Sequence, residues 1–276
     1  MLVFPNAKLN LGLYVTGQRP DGFRNLESVF LPLPWCDALE VLPAAEASAE
    51  TTLTLTGIPV PGDPATNLCR RAYELLRADF NLEPVRMHLH KVVPIGAGLG
   101  GGSADAAFAL RALNELFALK LSTDSLESYA RRLGSDCAFF IENKPVFAYE
   151  KGDVFEQISL SLAGTSCKVV YPGLHISTTE AYARVTPHPP RHDLRRALRQ
   201  PPETWRETVS NDFEDALTPI YPVLSEIKQQ LYAAGAAYAS LSGSGSAVYG
   251  LFPGRELPPK LAMPAEWLVW DGRLYR

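Results

Sequence analysis

The 276-residue chain has little sulfur, no long apolar run and no surplus of positive charge, and each shortage removes a class of function. Its four cysteines, Cys36, Cys69, Cys137 and Cys167, are widely and irregularly spaced, with no pair at the separation of a metal-ligand or redox motif. Reduced, mostly buried thiols are expected. No apolar stretch approaches the roughly 20 residues of a membrane span, and Lys8 falls where a signal peptide would need its apolar region. The expectation is a cytoplasmic chain with no membrane role. Lys and Arg number 26 against 30 Asp and Glu, so the net charge of −4 supplies no general surface for nucleic acid. His88 and His90 share one face of an expected strand, and His188 and His192 fall in a proline-rich stretch. Neither pair has a third ligand nearby, so no metal site is expected. No repeats are present, and residues 186–199, rich in Pro, His and Arg, read as a solvated loop or linker.

What the chain does have is an ordinary globular balance, 46% hydrophobic and 20% charged, over a length that suits two medium domains. It also has one conspicuous glycine run: Pro94, Ile95, Gly96, Ala97, Gly98, Leu99, Gly100, Gly101, Gly102 and Ser103, then Ala104. Val85 to Val93 reads as extended, and Ala104 to Leu119 reads as a helix with Ala106, Leu110, Leu113 and Phe117 on one face. Strand, glycine loop, helix is the order that presents unpaired backbone N–H groups to an anion, with Ser103 expected to cap the first turn and Asp105 to sit in it. Two familiar phosphate templates fail. No Lys follows the last glycine, as a Walker A loop needs, and no acid closes a strand about twenty residues on, as a dinucleotide fingerprint needs. A structural glycine turn therefore remains open beside phosphate binding.

Three other segments supply chemistry. Residues 7–15 alternate, with Leu9, Leu11, Leu13 and Val15 on one side and Lys8, Asn10, Gly12 and Tyr14 on the other. This predicts a half-buried strand that carries a cation and an amide on one face, exposed to solvent or to a ligand. Leu126, Tyr129, Ala130 and Leu133 predict a helix after the cap Ser122 that stops at Gly134. Asp136 follows in an apolar context, where it is either an N-cap or a functional carboxylate. Farther on, Val223, Leu224, Ile227 and Leu231 predict a helix ending at Gly235, followed by two strand-like runs around Ser242-Gly243-Ser244-Gly245. That turn is a hairpin, and its small residues also let its backbone approach a ligand.

Taken in order and spacing, Pro5-Asn6-Ala7-Lys8-Leu9-Asn10-Leu11, the run from Pro94 to Ala107, Gly134-Ser135-Asp136 and the late Ser/Gly loop resemble the GHMP kinase superfamily over nearly the whole chain. Thr16-Gly17 with Arg19, Asp21-Gly22-Phe23, the triple glycine and Asn211-Asp212-Phe213-Glu214 narrow the resemblance to the branch whose acceptor carries a cytidine diphosphate group. The resemblance implies an α+β fold of two domains, residues 1–160 with the phosphate loop and 161–276 with the late loop, and an active site in the cleft between them. It implies ATP with Mg²⁺ as phosphoryl donor and a hydroxyl of a methylerythritol unit as acceptor, on the non-mevalonate route to isoprenoid precursors. Lys8 and Asp136 would be catalytic, and residues 94–104 would wrap the ATP phosphates. Asn10, Phe23, Arg24, Lys91 and Tyr182 would bind the acceptor, Phe23 and Tyr182 by stacking on cytosine. Three positions depart from the family pattern: Arg24 stands where His is usual, Ala104 where a second Ser is common, and Ala138 where Pro often follows.

Overall fold

The protein is described by a computed structural model over residues 1–44, 50–160 and 162–274. In chain order its strands are β1 (Leu2–Val3), β2 (Asn6–Gln18), β3 (Arg24–Cys36), β4 (Ala38–Pro43), β5 (Thr52–Gly57), β6 (Val85–Lys91), β7 (Val146–Tyr149), β8 (Val154–Gln157), β9 (Thr165–Tyr171), β10 (Tyr238–Leu241), β11 (Val248–Pro253) and β12 (Leu268–Arg273). Its α-helices are α1 (Leu68–Phe80), α2 (Gly101–Leu116), α3 (Thr123–Leu133), α4 (Phe139–Glu142), α5 (Thr178–Arg184), α6 (Leu194–Ala197), α7 (Trp205–Thr208), α8 (Asp212–Leu217) and α9 (Pro222–Ala233). The elements sort into two compact units, each assembled from several stretches of chain.

The first unit comprises Met1–Ala7, Trp35–Ile95 and Gly100–Lys144. Its sheet has the order β1-β4-β6-β5, antiparallel except for the parallel β5–β6 pair. Strand β6 alternates: Val85, Met87, Leu89 and Lys91 point inward, whereas Arg86, His88 and His90 point out. Helix α1 buries Cys69, Ala72, Tyr73 and Leu76, a single stripe at helical spacing, and packs against α2. Asn67 caps α1 by accepting from Cys69 N at 2.9 Å, worth about 1 kcal/mol for such a cap. Helix α3 begins at the expected cap Ser122 and ends at Gly134.

The second unit comprises Lys8–Pro34, Gly96–Leu99 and Pro145–Arg276. It holds two sheets, β2-β3-β7-β8 and β10-β11-β9-β12, the latter antiparallel throughout. Helix α9 lays Leu224, Ile227 and Leu231 on β10 and β11 and stops at Gly235 in the left-handed region, as its pattern predicts. Those side chains join Leu13, Val15, Phe213 and Phe252 in one core. Each fully buried Leu, Ile or Phe contributes about 1.5–3 kcal/mol, so this core fixes where β2 lies.

Four expectations are corrected. Strand β2 is buried on both faces from Asn6 to Val15, because its polar side chains find partners inside the protein. Helix α2 starts at Gly101 and ends at Leu116, and Gly100 in the left-handed region precedes it without a side-chain cap, so Ser103 lies within the first turn and does not cap it. Asp105 sits one turn in and is buried against Lys91, so stabilising the first turn is not its role. Within 186–199, residues 186–193 are an irregular stretch with no buried residue, as expected, but α6 forms after them and Leu194 and Leu198 are buried.

Candidate active site

A lysine can sit inside a protein as an ammonium only where acceptors or π-faces replace its water. Lys8 is such a residue. It is buried on β2, its Nζ donates to the Asn10 side-chain oxygen two residues along the same face, and it lies 4.5 Å from the centroid of the Phe30 ring. Asn10 is fixed in turn: its Nδ2 donates to Ser28 Oγ at 2.8 Å, and Ser28 donates to Gly12 O at 2.6 Å. Tyr249 also donates its hydroxyl to Asn10 O at 2.8 Å. The Asn10 side chain that orients the lysine is therefore itself oriented.

The same strand holds the glycine run. Lys8 N donates to Leu99 O at 2.9 Å, and Asn10 N donates to Ser242 Oγ at 3.3 Å. Ser242 passes the bond on, donating to Gly98 O at 2.9 Å, while Ala247 N donates to Ala97 O at 3.0 Å. Residues 96–99 and the late Ser/Gly loop thus form one layer beside Lys8. A Cβ at Gly98 would stand 1.9 Å from Ser242 O, and its φ is +77°, so the close approach requires glycine.

The remaining residues of the run belong to the first unit, with Pro94 and Ile95 before and Gly100 to Ala104 after. Ser103 hydrogen-bonds the Cys137 thiol, whose pKa burial pushes up to about 12 while that bond lowers it. This contact joins the first turn of α2 to the turn that carries Asp136. Asp136 lies in the turn just before α4, whose flanking residue Ala138 makes no side-chain cap bond.

An open cavity of about 180 Å³ lies beside the start of α2, with Leu55, Val60 and Leu68 among its apolar walls and Asn67, Lys91 and Asp105 among its polar ones. Ile95 and Gly102 also line it, so it continues the glycine run. Lys91 Nζ donates to Asp37 and, at 2.7 Å, to Asp105 Oδ2, and Asp37 Oδ1 accepts from Val92 N and Val93 N at 2.6 and 2.8 Å. Burial pushes the Asp105 carboxyl up to about 7, against the pull of Lys91 and with the help of Asp37. Lys91 main-chain O is also occupied, accepting from Ile58 N at 2.9 Å. The structure thus sets Lys91 among the cavity's walls. Phe23 and Arg24 belong to the second unit, at the turn after β2.

There Phe23 is 57% exposed, a ring held outward by its own N–H bond to Asp21 Oδ1 at 3.1 Å. Lys151 Nζ lies 5.2 Å from that ring, and Arg24 donates to Gln18 Oε1 at 3.3 Å. Tyr182, on α5, is half-buried with its ring edge-on to Phe213 at 4.9 Å. Sequence reasoning missed Asp37, Ser28, Tyr249 and the 55–68 cavity wall, all of which reach their partners from distant parts of the chain and leave no local pattern.

The chain matches the family described as GHMP kinases N terminal domain over residues 67–144 and GHMP kinases C terminal over residues 192–262. It is 48% identical over 274 residues to the 4-diphosphocytidyl-2-C-methyl-D-erythritol kinase of Bacteroides thetaiotaomicron, covering 99% of this chain and 100% of that protein. It is 49% identical over 265 residues to the kinase of the same name from Bacteroides fragilis strain YCH46, covering 96% and 97%. A solved crystal structure of 4-(cytidine 5'-diphospho)-2C-methyl-D-erythritol kinase superposes with a TM-score of 0.80 at 30% identity, covering 99% of each chain. With its two-unit α+β fold and full-length identity to these enzymes, the chain belongs to the GHMP kinase family.

Proposed function

We propose that the protein transfers the γ-phosphoryl group of MgATP to the 2-hydroxyl of 4-diphosphocytidyl-2-C-methyl-D-erythritol, releasing ADP and the 2-phosphate. The observation that carries this reading is full-length identity to kinases of that name, joined to a buried, pre-oriented ammonium at Lys8. In the reaction the acceptor oxygen bonds to the γ-phosphorus as the bridging bond to the β-phosphate breaks, and the hydroxyl proton leaves to a base. Phosphoryl transfer asks a protein mainly for position and charge.

Asp136 is the base, or orients the hydroxyl so that its proton departs. Lys8, held by Asn10 and Phe30, stabilises the negative charge that develops on the reacting oxygens. Residues 94–104 offer backbone N–H groups to the ATP phosphates, and the Gly98 approach that no side chain permits supports that cradle. Mg²⁺ would be held by the nucleotide's own phosphates and would supply charge neutralisation there. The cavity beside α2, apolar with a few convergent polar groups, takes the base of ATP. Phe23 and Tyr182 supply aromatic faces for cytosine, while Asn10 and Arg24 hold the rest of the acceptor.

The functional halves are 1–160 and 161–276, a reading supported by the two family matches lying on either side of residue 160. A cytoplasmic location suits four free thiols, and among the described residues no helix is long and apolar enough to cross a membrane. The test is ADP release from MgATP with the cytidine diphosphate acceptor and, separately, with mevalonate, homoserine and galactose. Turnover on the first alone is expected; activity only on another alcohol overturns the reading.

A further inference from the structure

Four consecutive residues at the start of α8 have side chains that hold two different parts of the second unit. Asn211 accepts from Phe213 N at 3.0 Å, capping α8, and its Nδ2 donates to both Leu241 O and Gly243 O at 2.9 Å. Glu214 works on the same loop, accepting from Leu241 N at 2.7 Å and Ser240 Oγ at 3.0 Å while Lys228 neutralises it at 2.6 Å. The two residues between them turn the other way. Asp212 accepts from Val15 N at 2.7 Å and has His188 Nε2 3.3 Å from its second oxygen. His188 N donates to Val15 O at 3.0 Å, which pins the segment after α5 to β2. Phe213 and Tyr182 meet as a T-shaped ring pair.

A helix of six residues needs a cap, but it does not need two amide donors spent on a distant loop or a buried acid spent on a neighbouring strand. Asn211 and Glu214 grip the loop whose Ser242 orients Gly98 and Asn10, whereas Asp212 and Phe213 grip the segment that carries Tyr182. We infer that Asn211-Asp212-Phe213-Glu214 is a positioning element that sets the phosphate-side loop and the acceptor-side ring at a fixed separation. All four act through other groups of the second unit. This inference rests on the proposed function, which makes the loop a phosphate wall and Tyr182 an acceptor ring.

Because the two tethers alternate along one turn, they are separable by mutation. Asn211→Ser keeps a capping oxygen and removes both amide donors, while Phe213→Leu keeps apolar volume and removes the ring that packs on Tyr182. Steady-state kinetics on the full chain should then divide. Asn211→Ser is expected to lower kcat at least about tenfold with the acceptor KM raised by less than about fivefold. Phe213→Leu is expected to raise the acceptor KM at least about fivefold with kcat and the ATP KM within about twofold. Equal shifts of all parameters in both variants, or no shift in either, overturn the inference. Amide hydrogen exchange on the same proteins reads the tethers without chemistry: faster exchange confined to residues 241–247 in Asn211→Ser, and to 178–188 in Phe213→Leu, supports it, and uniform or unchanged exchange overturns it. An inactive wild type with the divided exchange pattern would count against the proposed reaction alone.

Discussion

Lys91 Nζ stands 2.7 Å from Asp105 Oδ2 and also donates to Asp37, so one buried cation serves two buried carboxylates at the wall of the cavity beside α2. One carboxylate is left in excess of the available charge. Burial therefore pushes Asp105 up to about 7 from an ordinary 3.8, despite the counter-pull of Lys91.

A carboxyl whose folded-state pKa exceeds its unfolded value binds more protons when folded over the interval between them. Stability from this group is present at low pH and is lost as pH rises from about 4 to about 7. Asp105→Asn fixes the neutral form. Between about pH 5 and about pH 8 the wild-type Tm is expected to fall further than that of the variant, by about 2–4 °C for each kcal/mol of linkage. Parallel thermal-unfolding curves across that range would show Asp105 already ionised.

Gly98 tests the phosphate cradle from its other side. Adding a methyl where φ is +77° and a carbonyl oxygen lies 1.9 Å away forces residues 96–99 and the Ser242 loop apart. Gly98→Ala is expected to raise the ATP KM about tenfold or more and to lower kcat, with Tm falling by only a few degrees since both segments are loops. Unchanged nucleotide kinetics would mean that the close approach serves folding only.

The sequence pattern marked β2, α3, α9, the late hairpin and the glycine run because each is a local period or a local turn. What it misplaced was decided by distant contacts. Three glycines at 100–102 argue against helix at about 1 kcal/mol each relative to Ala, yet α2 begins at Gly101, where a Cβ would meet Val93 at 3.1 Å and Lys91 Nζ at 3.4 Å. Packing there outweighs propensity. Likewise, alternation in 7–15 predicted one wet face, but Ser28, Phe30 and Tyr249 converge on that face from other strands and keep it dry. Asp37 and Lys91 lie 54 residues apart, a separation at which a sequence shows no pairing at all.

Lys8→Ala and Asp136→Asn address the chemistry directly. Removing a positioned acid–base group or a charge aimed at the transition state costs about 10²–10⁴ in kcat. Both variants are expected to lose turnover on that scale while ATP binding, followed by calorimetry, stays within a few-fold of wild type. Near-normal turnover in Asp136→Asn would remove its carboxylate from the mechanism.

The Phe23 ring is exposed and open to a stacking partner. Stacking one base on an aromatic face is worth about 1–3 kcal/mol, so Phe23→Ala is expected to raise the acceptor KM by about tenfold or more and leave the ATP KM unchanged. An equal rise in both constants would place the ring's effect on the fold.

Asn10 separates the stability of the site from its charge. Its side-chain oxygen accepts from the Lys8 ammonium and its Nδ2 donates to Ser28 Oγ at 2.8 Å, so Asn10→Ala removes an acceptor from a buried cation at about 1–3 kcal/mol and should lower both Tm and kcat. Asn10→Asp keeps the acceptor and adds the charge that a buried lysine favours, at the cost of the donor to Ser28. That variant is expected to hold Tm above the alanine variant. Its turnover should nonetheless fall at least about tenfold, because a carboxylate beside Lys8 cancels the field that would stabilise the transferring phosphoryl group. Tm and kcat measured on the same preparations give the comparison, and kcat rising together with Tm in Asn10→Asp would show that Lys8 serves the fold and not the reaction.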